Sequence, residues 1–284
     1  MNKRTINSPP WLLVVCLALV APTTVLACVL SGAEPVVSAN TSSGARQAQS
    51  EIEELPGPVV DHINRADQLG RLKRYDEAVE EYKAAIKAAG RPVYTAYLNM
   101  GSLLFNKGDY AQAIEAYRQA VTIKPNSFVS HYNLAEALYS NQDYAGAEKE
   151  YRRVLELRPG RLAINARHFL GLAIYKQGRL DEAIAEYQAA IELAGGSHSE
   201  ARYNLGIALL ERGQPQAAER EFRLAIEQEK KSWPEAHYNL AQALEKQRRY
   251  SEAADEYDVY LKLAPAAANA QRMREYVDYL RRKK

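Results

Sequence analysis

"HYNLAEALYSNQDYAGAEKEY" at residues 131–151 returns almost unchanged as "HYNLAQALEKQRRYSEAADEY" at residues 237–257. The copies begin 106 residues apart, which is three periods of 34 with four residues over. The intervening "RYNLGIALLERGQPQAAEREF" at 202–222 and the earlier "YLNMGSLLFNKGDYAQAIEAY" at 97–117 fall on the same period. Self-similarity at a fixed spacing of roughly 20–50 residues marks a stacked-repeat architecture. Six units result, at 59–92, 94–127, 128–161, 164–197, 199–232 and 234–267. The four spare residues fall in the joints, as Leu162, Ala163, His198 and Trp233.

The columns of this alignment have physical meaning. One is always alanine: Ala78, Ala113, Ala147, Ala183, Ala218 and Ala253. Four residues later comes a ring: Tyr82, Tyr117, Tyr151, Tyr187, Phe222 and Tyr257. A third column is small (Ala66, Gly101, Ala135, Gly171, Gly206, Ala241), and three residues after it stands Leu or Ile (Leu69, Leu104, Leu138, Ile174, Leu209, Leu244). Spacings of three and four place each pair on one helical face. Each unit therefore reads as two amphipathic helices joined by a turn such as "NKGD" or "KQGR". The small columns mark close backbone approach, and the ring fills the space beside them. Pro215 suits the first turn of a second helix, and Pro125, Pro159 and Pro265 stop theirs.

On these columns the chain resembles a tetratricopeptide-repeat protein over Val59 to Ala267. The resemblance implies an all-α, right-handed α-solenoid. The first unit departs most from the pattern, with Arg65 where the others carry Met or Leu, as terminal repeats often do. Residues 268–284 read as one further amphipathic helix, with Met273, Val277 and Leu280 on one face, similar to the capping helix of such arrays.

The first 58 residues are different material. Lys3 and Arg4 precede the apolar run "WLLVVCLALV", and no acid occurs before Glu34, which is the layout of a secretory signal at 1–27. "TVLAC" ending at Cys28 resembles a bacterial lipobox, in which the cysteine becomes the lipidated first residue; Leu26 departs from the commonest pattern. An ordinary signal cut after Ala27 or Ala39, or an uncleaved anchor reaching Leu30, are the alternatives. Cysteine usage favours the lipid. The only other cysteine, Cys16, would be discarded, and a lone exposed thiol is a liability in an oxidising compartment. Residues 28–58 read as a flexible tether, with a reach on the order of 30 Å.

Removing the leader takes Lys3 and Arg4, so 37 cationic residues become 35 against 35 anionic ones. That balance argues against nucleic acid as a partner. Six basic residues in the last helix, Arg272, Arg274, Arg281, Arg282, Lys283 and Lys284, outnumber Glu275 and Asp278 and read as favourable dipole charges. No catalytic or metal-binding constellation stands out, no cofactor is implied, and the expectation is a non-enzymatic chain. Of the five histidines, His62, His131 and His237 share one repeat column, which repetition explains better than catalysis. Glu80 and Glu81 read as solvated surface acids.

The groove remains. In the family the first helices line the concave side, which usually binds peptide. One column there is Asn64, Asn99, Asn133, Asn204 and Asn239, interrupted by Phe169 in unit four. Such amides could pair with a ligand's backbone or with the fold's own. The residues before them, Leu98, Tyr132, His168, Tyr203 and Tyr238, and further along Phe105, Tyr139 and Tyr175, give the groove an aromatic character suited to binding. Phe169 and the preceding insertion predict two half-grooves, units one to three and four to six. The functional expectation is an exported, membrane-anchored scaffold that binds a protein segment, similar to bacterial lipoproteins of this layout that assist pilus or envelope assembly. A structural spacer or oligomerisation module, or a subunit recruiting an envelope enzyme such as a cell-wall hydrolase, is the alternative.

Overall fold

The computed structural model describes residues 54–158, 163–229 and 233–283. The leader, Cys28 and most of the tether lie outside the described residues, as do Pro159 and Leu162. Within them are thirteen α-helices and no strand. They are α1 (Gly57–Arg71), α2 (Tyr75–Ala89), α3 (Tyr94–Lys107), α4 (Tyr110–Ile123), α5 (Phe128–Ser140), α6 (Tyr144–Leu157) and α7 (Ile164–Lys176). Then follow α8 (Leu180–Leu193), α9 (Ser199–Glu211), α10 (Pro215–Gln228), α11 (Pro234–Lys246), α12 (Tyr250–Leu263) and α13 (Ala270–Arg282). Each helix packs against the one before and the one after, which makes the array an α-solenoid of consecutive helix-turn-helix pairs. Gly57 and Pro58, expected in the tether, instead open α1, because proline fits a first helical turn where no N–H partner is needed.

The turn inside each unit is the same device six times. A left-handed residue ends the first helix at Lys73, Gly108, Gln142, Gly178, Gly213 and Arg248. The next N–H then reaches back to the Leu or Ile column, as Asp109 to the Leu104 carbonyl and Arg249 to that of Leu244. Three of the six left-handed residues are not glycine, so those turns carry a conformational cost that the packed pair of helices holds in place. Asp109 and Asp143 cap the following helix through the N–H groups of Gln112 and Gly146, while Pro215 takes the first position of α10.

The core is the pairing of columns. All six column alanines are completely buried, and no ring of the aromatic column is more than 2% exposed. A Cβ added to Gly101, Gly171 or Gly206 would lie 2.6, 2.7 or 2.6 Å from the ring of Tyr117, Tyr187 or Phe222 in the same unit. The glycines thus let ring and backbone touch. Leu69 is only half-buried, whereas its five counterparts are buried, because unit one has no preceding repeat to cover it. At the other end α13 lays Met273, Val277 and Leu280 on α12. Its basic end is partly spent at home: Arg281 pairs with Asp258 and Asp255, and the Lys283 ammonium lies 4.3 Å from the Tyr250 ring centroid.

Replacement of Ala147 by leucine should therefore lower stability by about 1–3 kcal/mol, since the added methylenes meet a filled interior. Lys149→Ala, on the exposed side of the same helix, should stay within about 0.5 kcal/mol. Urea unfolding of both variants checks the register.

Candidate functional site

The first helices make a row. α1 approaches α3 closely, as do α3 and α5, α7 and α9, and α9 and α11, while among the described residues the second helices form no comparable row. The array therefore bends towards its first helices, which line the inner side. The approach is weakest between α5 and α7, where the inserted residues lie.

Along that inner side the asparagines do different things. Asn64 is exposed. Asn99 donates to Asp67 Oδ1 at 3.4 Å. Asn204 is buried and donates to His168 Nε2 at 2.8 Å, and Asn239 donates to Tyr203 Oη, also at 2.8 Å. Three of the five thus tie one first helix to the preceding one. Asn133 is buried with its Oδ1 unpaired among the described residues. The expected open ladder is in large part a set of braces between helices.

The residues before the asparagines were expected at the groove surface, and Leu98, Tyr132, His168 and Tyr203 are buried instead, with Tyr238 half-buried. They wedge between the first helix and the second helix of the same unit, as the ring contacts Tyr132–Tyr151, His168–Tyr187, Tyr203–Phe222 and Tyr238–Tyr257 show. His168 is held neutral: burial, and then the nearby His198, push its imidazole down to about 3. Phe105, Tyr139 and Tyr175 are placed otherwise. All three are half-buried on the inner stripe, near the ends of their helices, and Tyr175 Oη donates to the Glu211 carboxylate of the next unit.

Between these two sets lies a column that sequence reasoning passed over, three residues after each asparagine position. Asp67, Ser102, Glu136, Leu172, Ile207 and Gln242 are half-buried in all six units. In three units the residue here matches the buried ring of its own unit. Tyr82 donates to Asp67, Tyr117 Oη donates to Ser102 Oγ at 3.1 Å, and where the column turns to Ile207 the ring is Phe222, which has no hydroxyl. Leu172 offers the Tyr187 hydroxyl no acceptor, and Glu136 breaks the match in another way. It faces the hydroxyls of Tyr117 and Tyr151, has no hydrogen-bond or ion-pair partner among the described residues, and burial pushes its carboxyl up to about 8.

The histidine column proves structural. His62, His131 and His237 contact Glu81, Glu150 and Glu256 at 2.6, 2.6 and 2.7 Å, and Arg167 and Arg202 do the same with Glu186 and Glu221 at 2.8 and 2.7 Å. Five units thus clip first helix to second by one basic–acid pair, and Glu81 is engaged rather than merely solvated. His131 also donates from Nε2 to the Pro125 carbonyl at 2.9 Å, so both ring nitrogens face acceptors; burial works against its charge, and Glu150 with Pro125 raises its pKa all the same. Among the described residues no group of three or more His, Cys, Asp or Glu could hold a metal ion, and no helix is long and apolar enough to cross a membrane.

Two outcomes follow for stability. Asn204→Ala strands the buried His168 nitrogen and should cost about 1–3 kcal/mol, whereas Asn64→Ala should change little; thermal unfolding separates them. For Glu136, the folded state favours the protonated acid. Its penalty is absent below the ordinary carboxylate range, grows as pH rises from there, and is complete above about 8. Glu136→Gln lacks that penalty. The variant should gain on wild type by on the order of 1–3 kcal/mol between pH 5 and pH 8, once solvent screening of a half-exposed group is allowed for. Denaturant midpoints across that range test it.

Family models described as "TPR repeat" or "Tetratricopeptide repeat" match residues 62–91, 101–142, 128–161, 162–231 and 203–268. A curated relative, the small glutamine-rich tetratricopeptide repeat-containing protein 2 of Mycosarcoma maydis, is 32% identical over 94 residues. The match takes in 33% of this chain and 26% of that protein, so the chain spans about a quarter of the relative's length. Among solved structures, PilW, a "widely conserved type IV pilus biogenesis factor", superposes with a TM-score of 0.64 at 18% identity, covering 76% of this chain and 98% of that one. YrrB, "a TPR protein with an unusual peptide-binding site", gives 0.55 at 20% identity, covering 69% and 99%. The period, the paired helices, the buried ring-and-alanine columns and the family matches agree, and the chain is a tetratricopeptide-repeat protein.

Proposed function

We propose that this protein is a non-enzymatic scaffold, exported and anchored through a lipid on Cys28, whose inner face holds a segment of a partner protein in a role of the pilus- or envelope-assembly type. Repeats of this family generally serve as interaction modules, and the inner stripe has the character such a role needs. The observation that carries the reading is its regularity. In all six units the third residue after the asparagine position stays half-buried, and so does the sixth, with Phe105, Tyr139 and Tyr175 among the latter. Half-exposed aromatic residues in a row offer large contact area at small entropic cost. They recur at one position in three successive units, which suits an extended segment. The likeness in fold to a pilus biogenesis factor and to a peptide-binding repeat protein supports the same assignment, as does the export signal read at the N-terminus. The histidines of the repeated column are engaged in helix-to-helix bridges, which favours binding over catalysis.

Capture of partners from envelope extracts should be lost in the triple variant Phe105→Ala, Tyr139→Ala, Tyr175→Ala and kept in Lys149→Ala on the opposite side. Cys28→Ser should move the protein out of the membrane fraction, since stable anchoring needs more than one acyl chain and the cysteine would supply their attachment. Equal capture by the triple variant sinks the inner-face assignment. Unchanged fractionation of Cys28→Ser sinks the lipid.

A further inference from the structure

Three polar groups meet at the middle of the inner face, and none has a partner among the described residues. Glu136 is half-buried, Tyr151 Oη is sealed from solvent without a hydrogen bond, and Asn133 Oδ1 is buried likewise. Neither Glu136 oxygen is among the atoms sealed from solvent, so the carboxylate is reachable from the inner side. Buried polar atoms are almost always satisfied, so three together need a reason. The equivalent groups next door are satisfied: Asp67 accepts from Tyr82 and Asn99, and Ser102 accepts from Tyr117. Only unit three joins an acid to this column without giving it a donor.

The walls are aromatic. Tyr132 and Tyr139 stand four residues before and three after Glu136, on the same face of α5. Phe169 of the next unit stacks on Tyr151, with centroids 6.1 Å apart and planes 14° apart, and meets Tyr132 edge-on at 6.2 Å. It occupies the break in the asparagine row, where α5 and α7 are least close. A reachable carboxylate beside aromatic rings complements a cation carried on a long apolar stem.

We propose that this place receives the lysine or arginine side chain of a bound partner segment. The ammonium or guanidinium pairs with Glu136, and its apolar stem lies against Tyr139 and Phe169, both half-buried on the inner side. The inference rests on the reading that the inner face holds a segment of another protein, and names the residue that segment must present. It also accounts for the retention of an unpaired acid in the interior of the row, since the missing partner arrives with the ligand.

Panning a random dodecapeptide display library against the full chain tests it, with Glu136→Gln and Glu136→Lys panned alongside. The expected result is a Lys or Arg at one position of the enriched peptides, at least about tenfold weaker binding of the synthetic peptide to Glu136→Gln, and Asp or Glu at that position with Glu136→Lys. A thermal midpoint of Glu136→Gln at or above wild type shows that lost binding is not lost fold. Enriched peptides that need Tyr139 and Tyr175 but show no basic position, or bind Glu136→Gln as well as wild type, overturn the inference and leave the inner-face reading standing. If no enriched peptide depends on Tyr139 and Tyr175, both fall.

Discussion

A buried ring pressed against a residue with little or no side chain is the contact on which the rest of the array depends. In units two, four and five the ring of the second helix occupies the space a Cβ would take on the first. That fixes the distance between the two helices of a unit, and the column alanine, completely buried one turn earlier, keeps the next approach equally short. Each ring removes on the order of 150–250 Å² from water. A unit is too thin to cover it alone, so the ring is closed in only when the following first helix packs behind it. This is why the period is strict. A residue added inside a helix would rotate ring and small residue off each other, whereas additions such as Ala163 and His198 are accommodated at joints.

The same geometry explains what could be read from the sequence. Columns that meet within a unit are visible as spacings of three and four, and the ring, alanine and glycine columns lie where those spacings put them. The inner face was harder. Tyr132 and Tyr203 look like surface aromatics when a single helix is considered, and become buried because Phe169 and Trp233 arrive from the following unit or joint, at 6.2 and 4.7 Å between centroids. An asparagine column is ambiguous for a similar reason: the same amide can serve a ligand or a neighbouring helix, and Asn204 and Asn239 serve the neighbour. What could have been found in part was the column three residues on, since in units one, two and five its polarity follows whether the facing ring carries a hydroxyl.

The joint between units three and four shows how the array tolerates an insertion. The first helices draw apart there, yet α6 and α7 remain packed. Glu148 is the reason on the polar side: Gln177 and Arg179 of unit four donate to it at 2.8 and 2.6 Å, and against its burial the bonds from Arg152, Gln177 and Arg179 hold its carboxyl below the usual range. The arrangement recurs at the last joint, where Gln247 and Arg249 donate to Glu219 at 2.8 and 2.5 Å. Elsewhere the same position is Val79, Ile114 or Ile184, whose side chains cannot accept such bonds. Partly exposed ion pairs contribute little each, so the clasp selects alignment more than it adds strength.

That difference in joints bears on where a ligand is felt. A solenoid passes strain only between neighbours, because each unit touches only the next. At the third joint the inner edge is loosely held and the opposite side is clasped, so a side chain wedged beside Phe169 acts at the place where the row resists least. Glu136 stands at that place without a partner among the described residues. A cation bound there would remove the cost of the buried acid, and it would also add a contact across the gap that the first helices leave between units three and four. Specificity and stiffness of the inner face then have one source. The residue that makes the empty array less stable is the one that couples its two halves when the segment is in place.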